Sequence, residues 1–186
     1  MISKLHYITQ DIPGFSHQQL TELACKGGVN WVQLRLKNKS QEEWLLIAQE
    51  TKLICLKYGA QLIINDSIEI AKTVGAAGVH LGKEDVSPAE AREILGNKII
   101  IGGSCNTIED VERNIQAGCD YVGIGPYRFT STKDKLNPIL GLEGIREIAK
   151  KYGDKINAIS RREKEVRVEY QLVAIPTFCL YNFNFR

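Results

Sequence analysis

The sequence predicts an α/β fold, a (β/α)8 TIM barrel that is incomplete at its C-terminal end. Three observations carry that expectation. Short apolar runs alternate with amphipathic stretches of about ten to twenty residues, the rhythm of βα units. The runs are near-continuously apolar, as in Leu62-Ile63-Ile64, which marks strands covered on both faces and hence a parallel sheet. Units recurring at roughly 20–30 residues suit a barrel better than an open doubly wound sheet, and no G-x-G-x-x-G follows the first run.

In chain order the candidate strands are Leu5–Thr9, Trp31–Arg35, Gln61–Asn65, Gly78–Gly82, Lys98–Gly102, Tyr121–Gly125 and Lys155–Ile159. Between them lie helical stretches. Ser16–Lys26 opens on a serine cap. Ser40 precedes Gln41–Tyr58 with Glu43 at the capping-box position. Ser67–Val74, Ser87–Leu95, Thr107–Ala117 and Leu142–Tyr152 follow, and Ser87-Pro88 pairs a cap with proline at the first helical position. Gly59, Gly75, Gly96, Gly118 and Gly153 stand where helices end.

Composition narrows the function classes. The chain has 186 residues, 24 Lys+Arg against 22 Asp+Glu, a net charge of +2, and 44% hydrophobic residues. That is enough for one core and one domain, though short for eight βα units. The charge balance gives no footprint for nucleic acid or an anionic membrane. No apolar run approaches the roughly 18 residues of a membrane span, and MISKLHYITQ has no apolar signal-peptide core. Five cysteines, an odd number without a CxxC pair, point to free thiols in a reducing cytoplasm. Cys105 follows a predicted strand and is a candidate site-lining thiol, but His6, His17 and His80 show no pairing with it.

In such barrels chemistry sits at the C-terminal ends of the strands. After the second strand, alternation puts Gln33, Arg35 and Lys37 on one side. Two cations and an amide there suit a phosphate or diphosphate; a solvated strand end is the bland alternative. The third and fourth strands end on Asn65-Asp66 and Gly82-Lys83-Glu84-Asp85. Carboxylates on adjacent strands can share a hard cation such as magnesium; alternatively Asp66 and Asp85 cap the helices that follow. His80 is either a buried hydrogen-bonded ring or a substrate contact. Gly102-Gly103-Ser104-Cys105 offers close approach of a ligand to backbone, or a tight turn. Gly125–Lys133 carries Thr130, Ser131, Thr132 and Lys133 in a long loop, a composition that holds phosphate oxygens. No Ser-His-Asp or Cys-His nucleophile is apparent.

These stretches resemble the thiamine-phosphate synthase (thiamine-phosphate pyrophosphorylase) family. The carrying residues are VQLRLK at Val32–Lys37, INDS at Ile64–Ser67, GVHLGKED at Gly78–Asp85, IGGSCN at Ile101–Asn106, and GPYRFTSTK at Gly125–Lys133 with GLEGI at Gly141–Ile145. The resemblance implies condensation of 4-amino-2-methyl-5-hydroxymethylpyrimidine diphosphate with 4-methyl-5-(2-phosphooxyethyl)thiazole, by a dissociative, magnesium-assisted route that releases diphosphate. It implies that Gln33, Arg35, Lys37, Asn65, Ser104 and Lys133 hold the pyrimidine diphosphate, that Asp66 and Asp85 ligate Mg2+, and that Thr130 and Thr132 contact the thiazole phosphate. Arg35 and Lys133 are the expected catalytic residues. The implied partners are small-molecule substrates, not nucleic acid or membrane, with a homo-oligomer left open.

Two residues depart from that pattern: Leu36 stands where the family has Glu, and Lys83 where it has Gln. Pro126 and the Thr130–Lys133 segment favour the synthase over thiazole tautomerases, which carry His after the glycine and lack those residues. The resemblance covers residues 4–158. After Ile159 the family continues with a Gly-Gly turn and an eighth βα unit, whereas here Ser160–Arg186 has no helical period. Residues 1–159 are thus the expected barrel body and 160–186 an atypical segment of the same domain. A shifted reading frame accounts for that segment better than a divergent eighth strand at Tyr170–Ile175. The alternative functions are a non-catalytic or impaired protein that only binds the pyrimidine diphosphate, and a thiazole tautomerase-like isomerase.

Overall fold

The computed structural model describes residues 2–3, 5–125, 140–152, 156–161 and 178–181. Strands and helices alternate as β1 (Leu5–Ile8), α1 (His17–Lys26), β2 (Trp31–Leu34), α2 (Gln41–Lys57), β3 (Gln61–Asn65), α3 (Ile68–Thr73), β4 (Gly78–Leu81), α4 (Pro88–Leu95), β5 (Ile100–Cys105), α5 (Ile108–Gln116), β6 (Tyr121–Ile124), α6 (Gly141–Tyr152), β7 (Ile156–Arg161) and β8 (Phe178–Tyr181). The helix starts follow from the caps. Ser16, Ser40 and Thr107 each close a reciprocal capping box with the residue three positions on. Ser87 caps α4 with Pro88 in its first turn.

The result is an α/β fold built on a curled parallel sheet. β1 to β6 pair in sequence order, all parallel, and β7 continues in parallel from β6. β8 runs antiparallel to both β7 and β1, so the strand order returns on itself. A parallel eighth strand would need a crossover connection, and an antiparallel one does not. The eighth strand therefore closes the order between β7 and β1 but differs in direction from the eighth strand of a (β/α)8 barrel. Tyr170–Ile175 and Gly153 lie outside the described residues.

Both faces of β1 to β6 are largely buried, which is why these strands read as unbroken apolar runs. On the outer face Val32, Leu34, Leu62, Ile64, Val79, Leu81 and Ile101 pack under the helices, against Leu20, Ala48, Ile70 and Ala91. On the concave face Trp31, Ile63 and Tyr121 form a separate cluster. His6 stacks on Trp31 there, with ring centroids 4.4 Å apart. The same strand parity leads from this apolar floor to the polar strand ends, since residues two apart share a face. Trp31 thus leads to Gln33, Ile63 to Asn65, and Gly102 to Ser104.

Candidate active site

At the C-terminal ends of β2 and β3, Gln33 and Asn65 are both buried. The Gln33 Nε2 donates to Asn65 Oδ1 at 2.7 Å. That contact leaves the Gln33 Oε1 buried and without a partner among the described residues, a polar atom aimed where a ligand donor would satisfy it. Arg35 and Lys37 follow β2 as the chain leaves the sheet, both half-buried. The Arg35 backbone N–H donates to Thr9 Oγ1 at 3.1 Å. Leu36, between them, turns the other way into the outer core.

The two carboxylates meet at the next pair of strand ends. Asp66 sits just after β3 with φ 66°, a left-handed conformation that aspartate tolerates better than bulkier residues. Its N–H donates to the His80 carbonyl at 2.8 Å. Asp85 folds back so that its Oδ2 accepts from the Gly82 N–H. Both carboxylates close around Gly82: a Cβ on that residue would lie 2.9 Å from Asp85 Oδ2 and 4.0 Å from Asp66 Oδ1. Desolvation in this crowded rim, then the charge of Asp85, push the Asp66 carboxyl up to about 7, with Arg35 pulling the other way. Asp66 is nonetheless reachable from solvent. The helix caps are supplied by Ser67, bonded to the Ile70 N–H, and Ser87, bonded to the Glu90 N–H. Capping therefore does not account for either aspartate.

Ser104 lies within β5 rather than after it. Its hydroxyl is 3.0 Å from His80 Nε2, while His80 Nδ1 is 3.0 Å from the buried Tyr121 hydroxyl. His80 is thus a buried ring that holds Ser104 from below. The glycines before it are packing residues. A Cβ on Gly102 would collide with the Tyr121 ring, and one on Gly103 would lie 2.7 Å from the Asn114 amide. Cys105 is no site-lining thiol: it points outward into the core beneath α5 and α6, accepts from Asn114 Nδ2 at 3.0 Å, and burial pushes its thiol up to about 11.

Lys83 pairs with Asp110 at the start of α5. Asp110 also accepts from the Asn106 N–H at 2.9 Å, from the Thr107 N–H at 3.2 Å and from Arg113 at 2.7 Å. Burial works against its charge, but Lys83 and these other partners hold it below the usual carboxylate range. Asn106 in turn donates to the Gly125 carbonyl. The loops after β4, β5 and β6 are thereby tied together beside the carboxylate pair. Thr130, Thr132, Lys133 and Pro126 lie outside the described residues.

Sequence reasoning missed the support beneath this site. The His80–Ser104 contact had a legible signal, because His80 sits at inward parity in an apolar run. The anchoring of Arg35 by Thr9 and the tie through Asp110 had none, since both join residues far apart in the chain.

A polar cluster at successive strand ends is a site; comparison with known proteins says of which lineage. The family model described as thiamine monophosphate synthase matches residues 5–161. The chain belongs to the thiamine monophosphate synthase family. It is an enzyme of thiamine phosphate synthesis, a transferase. The thiamine-phosphate synthase of Flavobacterium johnsoniae is 46% identical over 184 residues, 99% of this chain and 82% of that protein. That of Bacteroides thetaiotaomicron is 41% identical over 171 residues, 92% of this chain and 77% of that protein. Among solved structures, the thiamine phosphate pyrophosphorylase of Pyrococcus furiosus superposes with a TM-score of 0.72 at 29% identity, covering 83% of this chain and 72% of that one. The family match stops two residues after Ile159, where the βα rhythm of this family member also stops. No helix among the described residues is long and apolar enough to cross a membrane.

Proposed function

We propose that the chain joins 4-amino-2-methyl-5-hydroxymethylpyrimidine diphosphate to 4-methyl-5-(2-phosphooxyethyl)thiazole, giving thiamine phosphate and diphosphate. The observation that carries the reading is the convergence at the ends of β2 to β5. Arg35 and Lys37, the Gln33–Asn65 amide pair, the Asp66–Asp85 pair and Ser104 follow one another around one rim. The unpartnered Gln33 Oε1 suits an amino-group donor such as the aminopyrimidine presents.

Magnesium fits this donor set. It takes one or two protein carboxylates and completes its shell with water and substrate phosphate, and Asp66 and Asp85 stand together beside Gly82, where burial and the charge of Asp85 raise the Asp66 carboxyl. Asp66 and Asp85 would hold it, and it would supply charge neutralisation to the diphosphate. The protein side chains do the rest. Arg35 and Lys37 hold diphosphate oxygens, and Arg35 with Lys133 offsets the charge that grows as the C–O bond breaks and its electron pair leaves with diphosphate. Gln33, Asn65 and Ser104 hold the pyrimidine while its ring carries the positive charge. The thiazole nitrogen, placed by Thr130 and Thr132 on the thiazole phosphate, donates its lone pair to form the new C–N bond.

A (β/α)8 barrel incomplete at its C-terminal end belongs to this reading as well, with residues 1–159 as its body and 160–186 as an atypical part of the same domain. That atypical part favours one second reading, a protein that binds the pyrimidine diphosphate without turnover. Diphosphate release, followed with each substrate alone and with both, separates the two. The synthase releases diphosphate above background only when both substrates and magnesium are present. Absence of release under those conditions, with magnesium-dependent binding retained, leaves the binding protein.

A further inference from the structure

Thr9, at the end of β1, is fully buried and makes three polar contacts. Its N–H donates to the Gln33 carbonyl at 3.0 Å. Its Oγ1 accepts from the Arg35 N–H at 3.1 Å and lies 2.8 Å from His17 Nδ1. Thr9 therefore brackets Gln33-Leu34-Arg35 from both sides, at the point where β2 leaves the sheet. His17, the first residue of α1, is also buried. Its other ring nitrogen, Nε2, meets Asp11 Oδ1 at 3.1 Å. Asp11 is on the rim, with 58% of its side chain exposed.

One proton arrangement satisfies every atom. The Thr9 hydroxyl has one proton and two lone pairs. A lone pair takes the Arg35 N–H, and the proton goes to His17 Nδ1. The imidazole then carries its own proton on Nε2 and donates it to Asp11. The order carboxylate, imidazole, hydroxyl is that of a nucleophilic triad, but the hydroxyl is sealed from solvent and occupied by backbone. Its chemistry is that of a brace.

We propose that Thr9, His17 and Asp11 are positioning residues for the diphosphate grip: their side-chain chain fixes where Arg35 departs from β2 and so aims its guanidinium. This rests on the reading that Arg35 holds diphosphate. Arg35 has a long, flexible side chain, and a bidentate grip on a phosphate oxygen pair is geometrically demanding. A small displacement of its backbone is enough to lose it.

The test is isothermal titration of the full chain with inorganic diphosphate in excess Mg2+, beside thermal unfolding of each variant. Thr9→Val keeps the shape and removes the hydroxyl; it weakens diphosphate binding about tenfold, the usual scale for outer partners of a binding group. Thr9→Ser restores binding to within about twofold. Asp11→Ala, at an exposed side chain that leaves the fold intact, weakens binding about threefold and decides the matter should Thr9→Val not fold. A lowered thermal midpoint with unchanged affinity would assign the chain to stability alone and overturn the proposal. Arg35→Ala separates the two layers. If it abolishes binding while Thr9→Val and Asp11→Ala are silent, only the positioning chain falls. If it is silent too, the role of Arg35 falls with it.

Discussion

Asp66 has a positive φ, a like-charged neighbour and a raised carboxyl in one residue. Strain of this kind persists only where the surroundings over-determine it, and it gathers at functional sites. Asp85→Asn removes a charge from the pair without changing its shape. It is expected to lower kcat/KM by about 100-fold and to raise the magnesium concentration needed for half-maximal rate; an unchanged magnesium dependence would remove Asp85 from the metal reading. His6 makes a separate prediction about stability. Burial lowers it from 6.5 to about 4. Between those values the unfolded chain binds the proton and the native chain does not, so stability falls as pH drops from about 6.5 to 4 and is unaffected by this group above 6.5. The full loss is about 3 kcal/mol. Denaturant unfolding at pH 7, 5.5 and 4.5 checks it, and His6→Phe should flatten the profile. At this scale the sequence made the polar residue types legible at each strand end, because strand parity projects them there. It left Asp66 ambiguous, since an aspartate before a helix reads as a cap until Ser67 is seen to take that place.

The elements were legible where local chemistry decides them. Ser16, Ser40, Ser87 and Thr107 start helices because a hydroxyl satisfies orphan N–H groups whatever the tertiary context. Removing the α2 box with Ser40→Ala is expected to cost about 1 kcal/mol, measured as a shift in the denaturant midpoint with unchanged slope. β5 misled because glycines read as turns. Gly102 and Gly103 are glycine to admit Tyr121 on one face and Asn114 on the other, so the strand runs on to Cys105 and takes Ser104 with it. Gly102→Ala should cost about 2 kcal/mol or more through overpacking against Tyr121. Because Tyr121 bonds His80, and His80 bonds Ser104, this variant should also raise the KM for the pyrimidine diphosphate. A stable Gly102→Ala protein with unchanged kinetics would show that the Tyr121 packing is slack.

At the scale of the whole molecule, the parallel sheet was legible from β1 to β7 because each unit repeats the same apolar run, cap and helix. The last strand was not. Phe178–Tyr181 lies in a stretch without period, and its antiparallel pairing with β1 and β7 depends on contacts with distant strands that no local pattern announces. The site sits mainly on the regular part of the sheet, on the ends of β2 to β5, while the residues expected to hold the thiazole phosphate fall beyond β6. On the proposed function the rim divides into a diphosphate-and-magnesium half and a thiazole half, which together make thiamine phosphate. The most direct test is thiamine phosphate formation by the full chain, from both purified substrates, with and without magnesium. The expected result is magnesium-dependent product that Arg35→Ala and Asp85→Asn each reduce by about 100-fold. No product above background at saturating thiazole phosphate, or product indifferent to both substitutions, would contradict it.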